Sequence, residues 1–249
     1  MNEIIRVTNL DVGYENETVL EGLNFTITKG EITVILGKSG CGKTTIIKTI
    51  IGLIPPLTGD VFFAGNRIDY ASERMLKDFY KKIGVLYQNG ALLNSLNLYE
   101  NTALPLRMHF PTLPKKIEEE MVYYRLSQVG LRESAQKFPS ELSTGMRKRA
   151  ALARAMILDP EIIFCDEPTA GLDPITAAGL DTLMLDLKHQ FGMTLLVVTH
   201  ELRSIEKIAD KAMVLNNKRL LYFGEYQALK TINDSFINSF FLKDTHHDH

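Results

Sequence analysis

Residues 32–50 read ITVILGKSGCGKTTIIKTI. The first five, Ile32–Leu36, are apolar and rich in β-branched residues, the composition of a strand buried on both faces. GKSGCGKT (37–44) follows, and it fits the pattern G-x-x-x-x-G-K-[ST]. TTIIKTIIGL (44–53) is helical in pattern and stops before Pro55 and Pro56. Strand, glycine-rich turn and helix in this order are the context in which that pattern cradles phosphates. Gly37, Gly40 and Gly42 let the backbone curl so that N–H groups point inward. Lys38, Ser39, Cys41 and Thr45 complete the phosphate-binding stretch. The helix adds the partial positive charge of its N-terminus. Lys43 is long enough to reach β- and γ-phosphates, and the Thr44 hydroxyl is a ligand for Mg²⁺.

Outward from this stretch, the chain alternates. Upstream, Leu23, Phe25 and Ile27 interleave with Asn24, Thr26 and Thr28, the period of a half-buried strand. Downstream, VFFAG (61–65) and IGVLY (83–87) read as short strands. From Asn89 to about Ser140 strand signals disappear, and Ile117, Met121, Val122 and Leu126 recur at helical spacing. Alternation then resumes: helix from Ser143, strand EIIFCD (161–166), helix from Pro174, strand TLLVVT (194–199), helix from Glu201, then AMVL (212–215) and RLLYFG (219–224). This predicts an α/β core with a mostly parallel sheet and a helical insertion.

Composition narrows the function classes. Of 249 residues, 45% are hydrophobic and 23% charged, too apolar for a disordered chain and enough for a sizeable core. Lys plus Arg number 28 against 30 Asp plus Glu, a net charge of −2, which gives no overall footprint for nucleic acid. Two cysteines are too few for a disulfide framework or a four-thiolate zinc site; Cys165 reads as core. The longest stretch free of Asp, Glu, Lys and Arg, Ile83–Tyr99, contains Gln88 and three asparagines and is not a spanning helix. The N-terminal MNEIIRVTNL does not read as a signal peptide. Any membrane role is therefore expected to come through partner chains. The terminal HHDH, with His246, His247 and His249, reads more simply as a solvated tail than as a metal site.

Two further motifs carry chemistry. In EIIFCDEP (161–168) an apolar strand ends in Asp166, and Glu167 follows. Phosphoryl transfer needs one carboxylate to hold Mg²⁺ and a second group to position or deprotonate the attacking water; Asp166 suits the first role and Glu167 the second. Alone, such a pair reads as a solvated turn; with a phosphate loop upstream, the functional reading dominates. In ELSTGMRKRAALARAM (141–156), Ser143 is a good N-cap before an alanine-rich helix. That helix start is a second phosphate site, with the Ser143 hydroxyl and the Gly145 N–H aimed at a γ-phosphate, or simply a capped amphipathic helix.

In this order the motifs resemble the ATP-binding subunits of ABC transporters, over nearly the whole chain. LSTGM (142–146) resembles the family's signature loop, usually L-S-G-G-Q, and TAGLDP (169–174) its D-loop. His200 in VVTHEL resembles the switch histidine, Gln88 in LYQNGAL the Q-loop glutamine, and Tyr14 in DVGYENETVL the aromatic that stacks on adenine. Taken singly, Asp173 before Pro174 reads more simply as a helix start and His200 as a capping or solvated side chain. The resemblance implies a P-loop NTPase core with an antiparallel β subdomain and an inserted α-helical subdomain. It implies a core of residues 1–88 and 143–225, a helical signature subdomain of 89–142, and a C-terminal helix and tail of 226–249. It further implies ATP and Mg²⁺, the metal held by Thr44, Asp166 and Gln88. Glu167, His200 and Gln88 would act in hydrolysis. Ser143, Gly145 and Asp173 would serve the nucleotide of a second copy in a head-to-tail pair.

A finer resemblance is to the Mla/Mce-type lipid-transport ATPases of bacteria with an outer membrane and to related plastid transporters. It rests on QNGALLNSLNLYENTALPLR (88–107), on Met146 followed by RKRAALARAM, and on DPITAAG (173–179). It implies phospholipid transport for outer-membrane asymmetry, with a permease in the inner membrane and this chain peripheral on its cytoplasmic face. Small cytoplasmic and periplasmic lipid-binding subunits would accompany it, and no nucleic acid. Another ABC importer or exporter is the alternative, and a soluble ABC-type ATPase acting on nucleic acid or ribosomes a more distant one. Thr144 departs from the pattern, standing where the family carries the first signature glycine. Leu92, Leu93, Leu96 and Leu98 line a groove for a permease helix or fill the subdomain core, the latter expected for at least two. SFINSFFLKD (235–244) carries Phe236, Ile237, Phe240 and Phe241 at helical spacing, packing on a partner or on its own domain.

Overall fold

The structure is a computed structural model that describes residues 2–14 and 17–241. Two sheets organise it. Strands β1 (Glu3–Tyr14), β2 (Glu17–Thr28), β4 (Thr58–Phe63) and β5 (Asn66–Arg67) form an antiparallel sheet in the order β2-β1-β4-β5. Strands β3 (Ile32–Leu36), β6 (Ile83–Leu86), β7 (Ile162–Asp166), β8 (Leu195–Val198), β9 (Lys211–Asn216) and β10 (Arg219–Glu225) form the second, in the order β10-β9-β3-β8-β7-β6. Every pair in that sheet is parallel except β9 with β10. The expected architecture is therefore present.

Side-chain alternation explains why the central strands are apolar throughout. In β7, Ile162 and Phe164 face the core shared with the antiparallel sheet, while Ile163 and Cys165 face the core on the other side. The same division holds in β8 for Leu196 and Val198 against Leu195 and Val197. A sheet covered on both faces needs apolar residues at both parities. Helix α1 (Lys43–Ile50) fills the first core through Ile46, Ile47 and Ile50. On the other face lie α6 (Pro174–Phe191) and α7 (Leu202–Ile208). Helix α2 (Glu73–Tyr80), capped by Ser72, buries Phe79.

The 89–142 region is helical, with α3 (Leu98–His109) and α4 (Lys115–Gln128). Asn97 and Glu100 form a reciprocal capping box at the start of α3. Leu98, Leu106, Val122 and Leu126 build a third core against α5 (Thr144–Met156). Helix α5 serves two cores. Ala150 and Ala153 face the helices, while Ala151, Leu152 and Met156 face the sheet.

Among the leucines after Gln88, Leu98 is fully buried and Leu92 packs on the cores, whereas Leu93 is exposed. Ile117 is also exposed. It lies about 140° around the helix from Val122, beyond the stripe that faces α3. A short α8 (Tyr226–Leu229) precedes α9 (Ser235–Phe241), which packs Phe236, Ile237 and Phe241 on the sheet core of its own chain. The terminal histidines fall outside the described residues. No helix among the described residues is long and apolar enough to cross a membrane.

Candidate functional site

Strand β3 delivers the chain to the phosphate loop at the end of the parallel sheet. Gly42 immediately precedes α1 in a left-handed conformation, φ +101°. A Cβ there would lie 2.7 Å from Val19 Cγ1 and 2.8 Å from Leu20 Cδ1. Only glycine lets the loop lie this close to β2 while taking that conformation. Lys43 is buried, and its ammonium donates to the carbonyls of Gly37 and Lys38, each at 3.0 Å. The lysine thus folds back over the loop it belongs to. Burial raises the pKa of the Cys41 thiol, opposed by the Lys43 charge; it packs beside the core rather than lining the cleft.

The cleft above the loop measures about 720 Å³ and is lined by the loop, Thr45, Gln88, Asp166, Glu167 and His200. Parallel order explains the convergence: β3, β7 and β8 are neighbours, so the residues at their C-terminal ends meet. Thr44 Oγ1 donates to Asp166 at 3.0 Å. Two hard oxygen donors are thereby side by side, with the exposed Gln88 on the same cleft. Such a set fits Mg²⁺, which keeps several waters and binds through one or two carboxylate or hydroxyl oxygens plus substrate phosphates.

Glu167 and His200 form a pair, Nδ1 to Oε1 at 2.9 Å. Glu167 is in the left-handed region, φ +49°, an uncommon conformation for a non-glycine residue. Its N–H donates to Val198 O at 2.8 Å. Its second carboxylate oxygen, Oε2, is buried and accepts no hydrogen bond among the described residues. The carboxylate is therefore oriented through one oxygen, while the other carries no competing hydrogen bond among the described residues.

Besides Cys41, four residues of the expected nucleotide set do not line this cleft: Tyr14, Ser143, Gly145 and Asp173. Tyr14 ends β1, half exposed. Ser143 caps α5, its Oγ accepting from Met146 N at 3.2 Å, which leaves its own O–H for another acceptor. Gly145 is buried, and a Cβ there would meet Thr176 Cγ2 at 2.4 Å, so the first turns of α5 and α6 touch. Asp173 caps α6, accepting from the N–H groups of Ile175 and Thr176 at 3.1 and 3.0 Å. Its hydrogen bonds to Thr176, side chain first, hold its pKa below the usual value. Thr144 begins α5 with φ outside the left-handed region, and its hydroxyl accepts from Arg147 at 3.0 Å. The departure from glycine needs no unusual backbone here.

A second cleft of about 390 Å³ lies between Gln88, Asn89, Thr144, Arg147, Lys148, Ala170 and Gly171. Gln88 borders both clefts. Lys148 was not singled out in the sequence, where it sits in a basic run on a helix; it is nevertheless buried. The one available signal was an amphipathic pattern that places it on the same side of the helix as Ala151 and Leu152.

Residues 20–170 match the ABC transporter family. The chain is 40% identical over 240 residues to the "Probable ribonucleotide transport ATP-binding protein mkl" of Mycobacterium tuberculosis, covering 96% of this chain and 67% of that one. It is 40% identical over 225 residues to the "Intermembrane phospholipid transport system ATP-binding protein MlaF" of Escherichia coli, covering 90% and 83%. Among solved structures, the dimeric cassette MJ0796 bound to ADP and Pi superposes with a TM-score of 0.80 at 27% identity, covering 89% of this chain and 98% of that one. With a phosphate loop, a hydroxyl–carboxylate pair and an oriented glutamate converging on one cleft, this chain belongs to the ABC transporter family and is its ATP-binding, ATP-hydrolysing cassette.

Proposed function

We propose that this chain powers a phospholipid transporter, working as a head-to-tail pair of copies beneath an integral permease on the cytoplasmic face of the inner membrane. The observation that carries the ATPase chemistry is the cleft in which Thr44–Asp166 faces Glu167–His200. When ATP enters, Lys43 exchanges two loop carbonyls for β- and γ-phosphate oxygens. Thr44, Asp166 and Gln88 are the residues that would hold Mg²⁺, which supplies neutralisation of the phosphate charge. The Glu167 carboxylate accepts the proton of the attacking water, and His200 orients that carboxylate through Oε1. Loop N–H groups and Lys43 stabilise the charge that spreads over the transferred phosphoryl group.

The paired arrangement is supported by what the cleft leaves out. Ser143 and Gly145 start a helix whose N-terminus attracts anions, yet they do not line their own chain's cleft. A nucleotide touching both sets therefore needs two chains. The expected division into a core (1–88, 143–225), a helical subdomain (89–142) and a C-terminal segment (226–249) is part of the proposal. Support comes from the separate third core of α3, α4 and α5. Leu93, exposed at the edge of that subdomain, and the half-buried Leu96, which joins none of the three cores, are the residues left to meet a permease helix.

The cargo reading rests on the likeness to MlaF, whose name states phospholipid transport, and on the 88–107 segment. The mkl name states ribonucleotide transport at the same identity. The discriminating experiment is to copurify the membrane partner and reconstitute the complex in vesicles. Phospholipid movement coupled to ATP turnover, with no stimulation by added pyrimidine ribonucleotides, supports the proposal. Turnover stimulated by pyrimidine ribonucleotides, or copurification with RNA in place of a membrane protein, contradicts it.

A further inference from the structure

Lys148 is 2% exposed. Burying an ammonium is costly unless its protons find acceptors. Its Nζ donates to two main-chain carbonyls, those of Gln88 and, at 2.9 Å, Glu167. These belong to two separate segments, and both carry side chains that line the cleft. Burial pulls the lysine's pKa down, opposed chiefly by the Glu167 and Asp166 carboxylates.

The rest of α5 holds the same loop. Arg154 donates to the carbonyls of Gly90 and Ala91, each at 2.7 Å. Ala91 is itself left-handed, φ +48°. Lys148 differs from Arg154 in reaching Glu167 as well. Glu167 occupies a disfavoured backbone conformation, pinned on its N–H side by Val198 and on its C=O side by Lys148 at 2.9 Å and, at 3.3 Å, by the N–H of Ala170. Such a residue persists only where its surroundings over-determine it. Without Lys148 the carbonyl keeps only the longer, local bond from Ala170, and the setting that presents Oε1 to His200 loosens.

We infer that Lys148 is a positioning residue for ATP hydrolysis: from the helix that begins at Ser143 and Gly145, one ammonium sets the backbone of Glu167 and of Gln88 together. The inference rests on the proposed role of Glu167 as the water-activating carboxylate. It also gives a route by which contact at the start of α5 reaches the hydrolytic glutamate of the same chain.

The test uses the full-length chain and measures kcat, ATP affinity and melting temperature for K148M, K148Q, E167Q and K148M/E167Q. Methionine keeps an unbranched chain, one bond shorter, and removes every donor. K148M is expected to lower kcat ~10- to 100-fold, the loss expected from a misplaced catalytic group, while ATP affinity changes less than ~3-fold because Lys43 and the loop are untouched. K148Q, one bond shorter but still a donor, is expected to fall between K148M and the parent. In the E167Q background K148M is expected to lower the residual turnover less than ~2-fold, since residues acting through one another are not additive. A merely structural lysine would instead lower affinity with kcat, and lower residual turnover equally in both backgrounds; either result overturns the inference. So does parental kcat in K148M, or in K148Q should K148M fail to fold. If E167Q alone keeps parental turnover, the role of Glu167 fails and this inference fails with it; a large loss in E167Q with none in K148M overturns the inference alone.

Discussion

Gly42→Ala is the substitution whose cost the geometry states most fully. Two penalties apply. The left-handed backbone, φ +101°, costs an L-residue ~1–2 kcal/mol. The new methyl would sit 2.7 Å from Val19 Cγ1 and 2.8 Å from Leu20 Cδ1. Leu20 is fully buried and Val19 is β-branched, so neither swings aside, and overpacking of this kind costs ~1–3 kcal/mol. Together the change removes ~2–5 kcal/mol, a large share of the ~5–15 kcal/mol that holds a typical protein folded. For a chain of this size each kcal/mol moves the melting temperature by ~2–4 °C, so thermal unfolding should fall by ~4–20 °C. Gly40 is the internal control. It too is left-handed, φ +77°, but a Cβ there meets nothing within 4 Å. Gly40→Ala should therefore cost only the ~1–2 kcal/mol of backbone strain. Calorimetric titration with ATP should show weaker binding in both, and the greater loss in Gly42→Ala, where the loop must also move away from β2. Equal, small shifts in melting temperature for the two variants would refute the packing argument.

Thr144→Gly should retain or raise ATP turnover, with a stability loss of about 0.5 kcal/mol from helix propensity, because Thr144 has an ordinary backbone; a loss of activity beyond tenfold would give its hydrogen bond from Arg147 a role in function. Asp181 is 3% exposed, accepts from Ser204 Oγ at 2.8 Å and, among the described residues, leaves Oδ1 without a hydrogen-bond partner. Burial raises its pKa. A raised carboxyl pKa means that the folded state binds its proton more tightly than the unfolded chain, so stability falls as pH rises through the folded pKa. Asp181→Asn should therefore melt higher than the parent above the usual carboxylate range, and the gap should close at lower pH; a gap independent of pH would contradict the buried charge as its cause.

The legibility of the chain follows the range of its interactions. The phosphate loop, the β7 strand ending in Asp166 with Glu167 just after it, and the caps Ser143 and Asp173 are local features, and each motif lies on the expected element. Parallel strands were readable because burial on both faces leaves a continuous apolar run. Helix α2 carries one buried residue, Phe79, so periodicity had little to register; its Ser72 cap was the available sign. The contacts that organise the site are long-range. Glu167 meets His200 across 33 residues, and Lys148 meets Gln88 across 60. In a basic run such as RKR only helical phase, which sets Lys148 on the side of Ala151 and Leu152, distinguishes the lysine that turns inward from the arginines beside it. The same holds for Asp181, whose burial depends on α7 lying against α6. The C-terminal helix shows the reverse case: its apolar spacing was plain, while the surface it covers is fixed only by tertiary approach.

The most direct test of the account is turnover by Glu167→Gln. The amide keeps the size of the side chain and cannot accept a proton as the carboxylate does, while Lys43, Thr44 and the loop are unchanged. The account predicts retained ATP binding, loss of most turnover and accumulation of an ATP-bound dimer. Turnover at the parental rate would contradict it, removing Glu167 from the place at which the site converges.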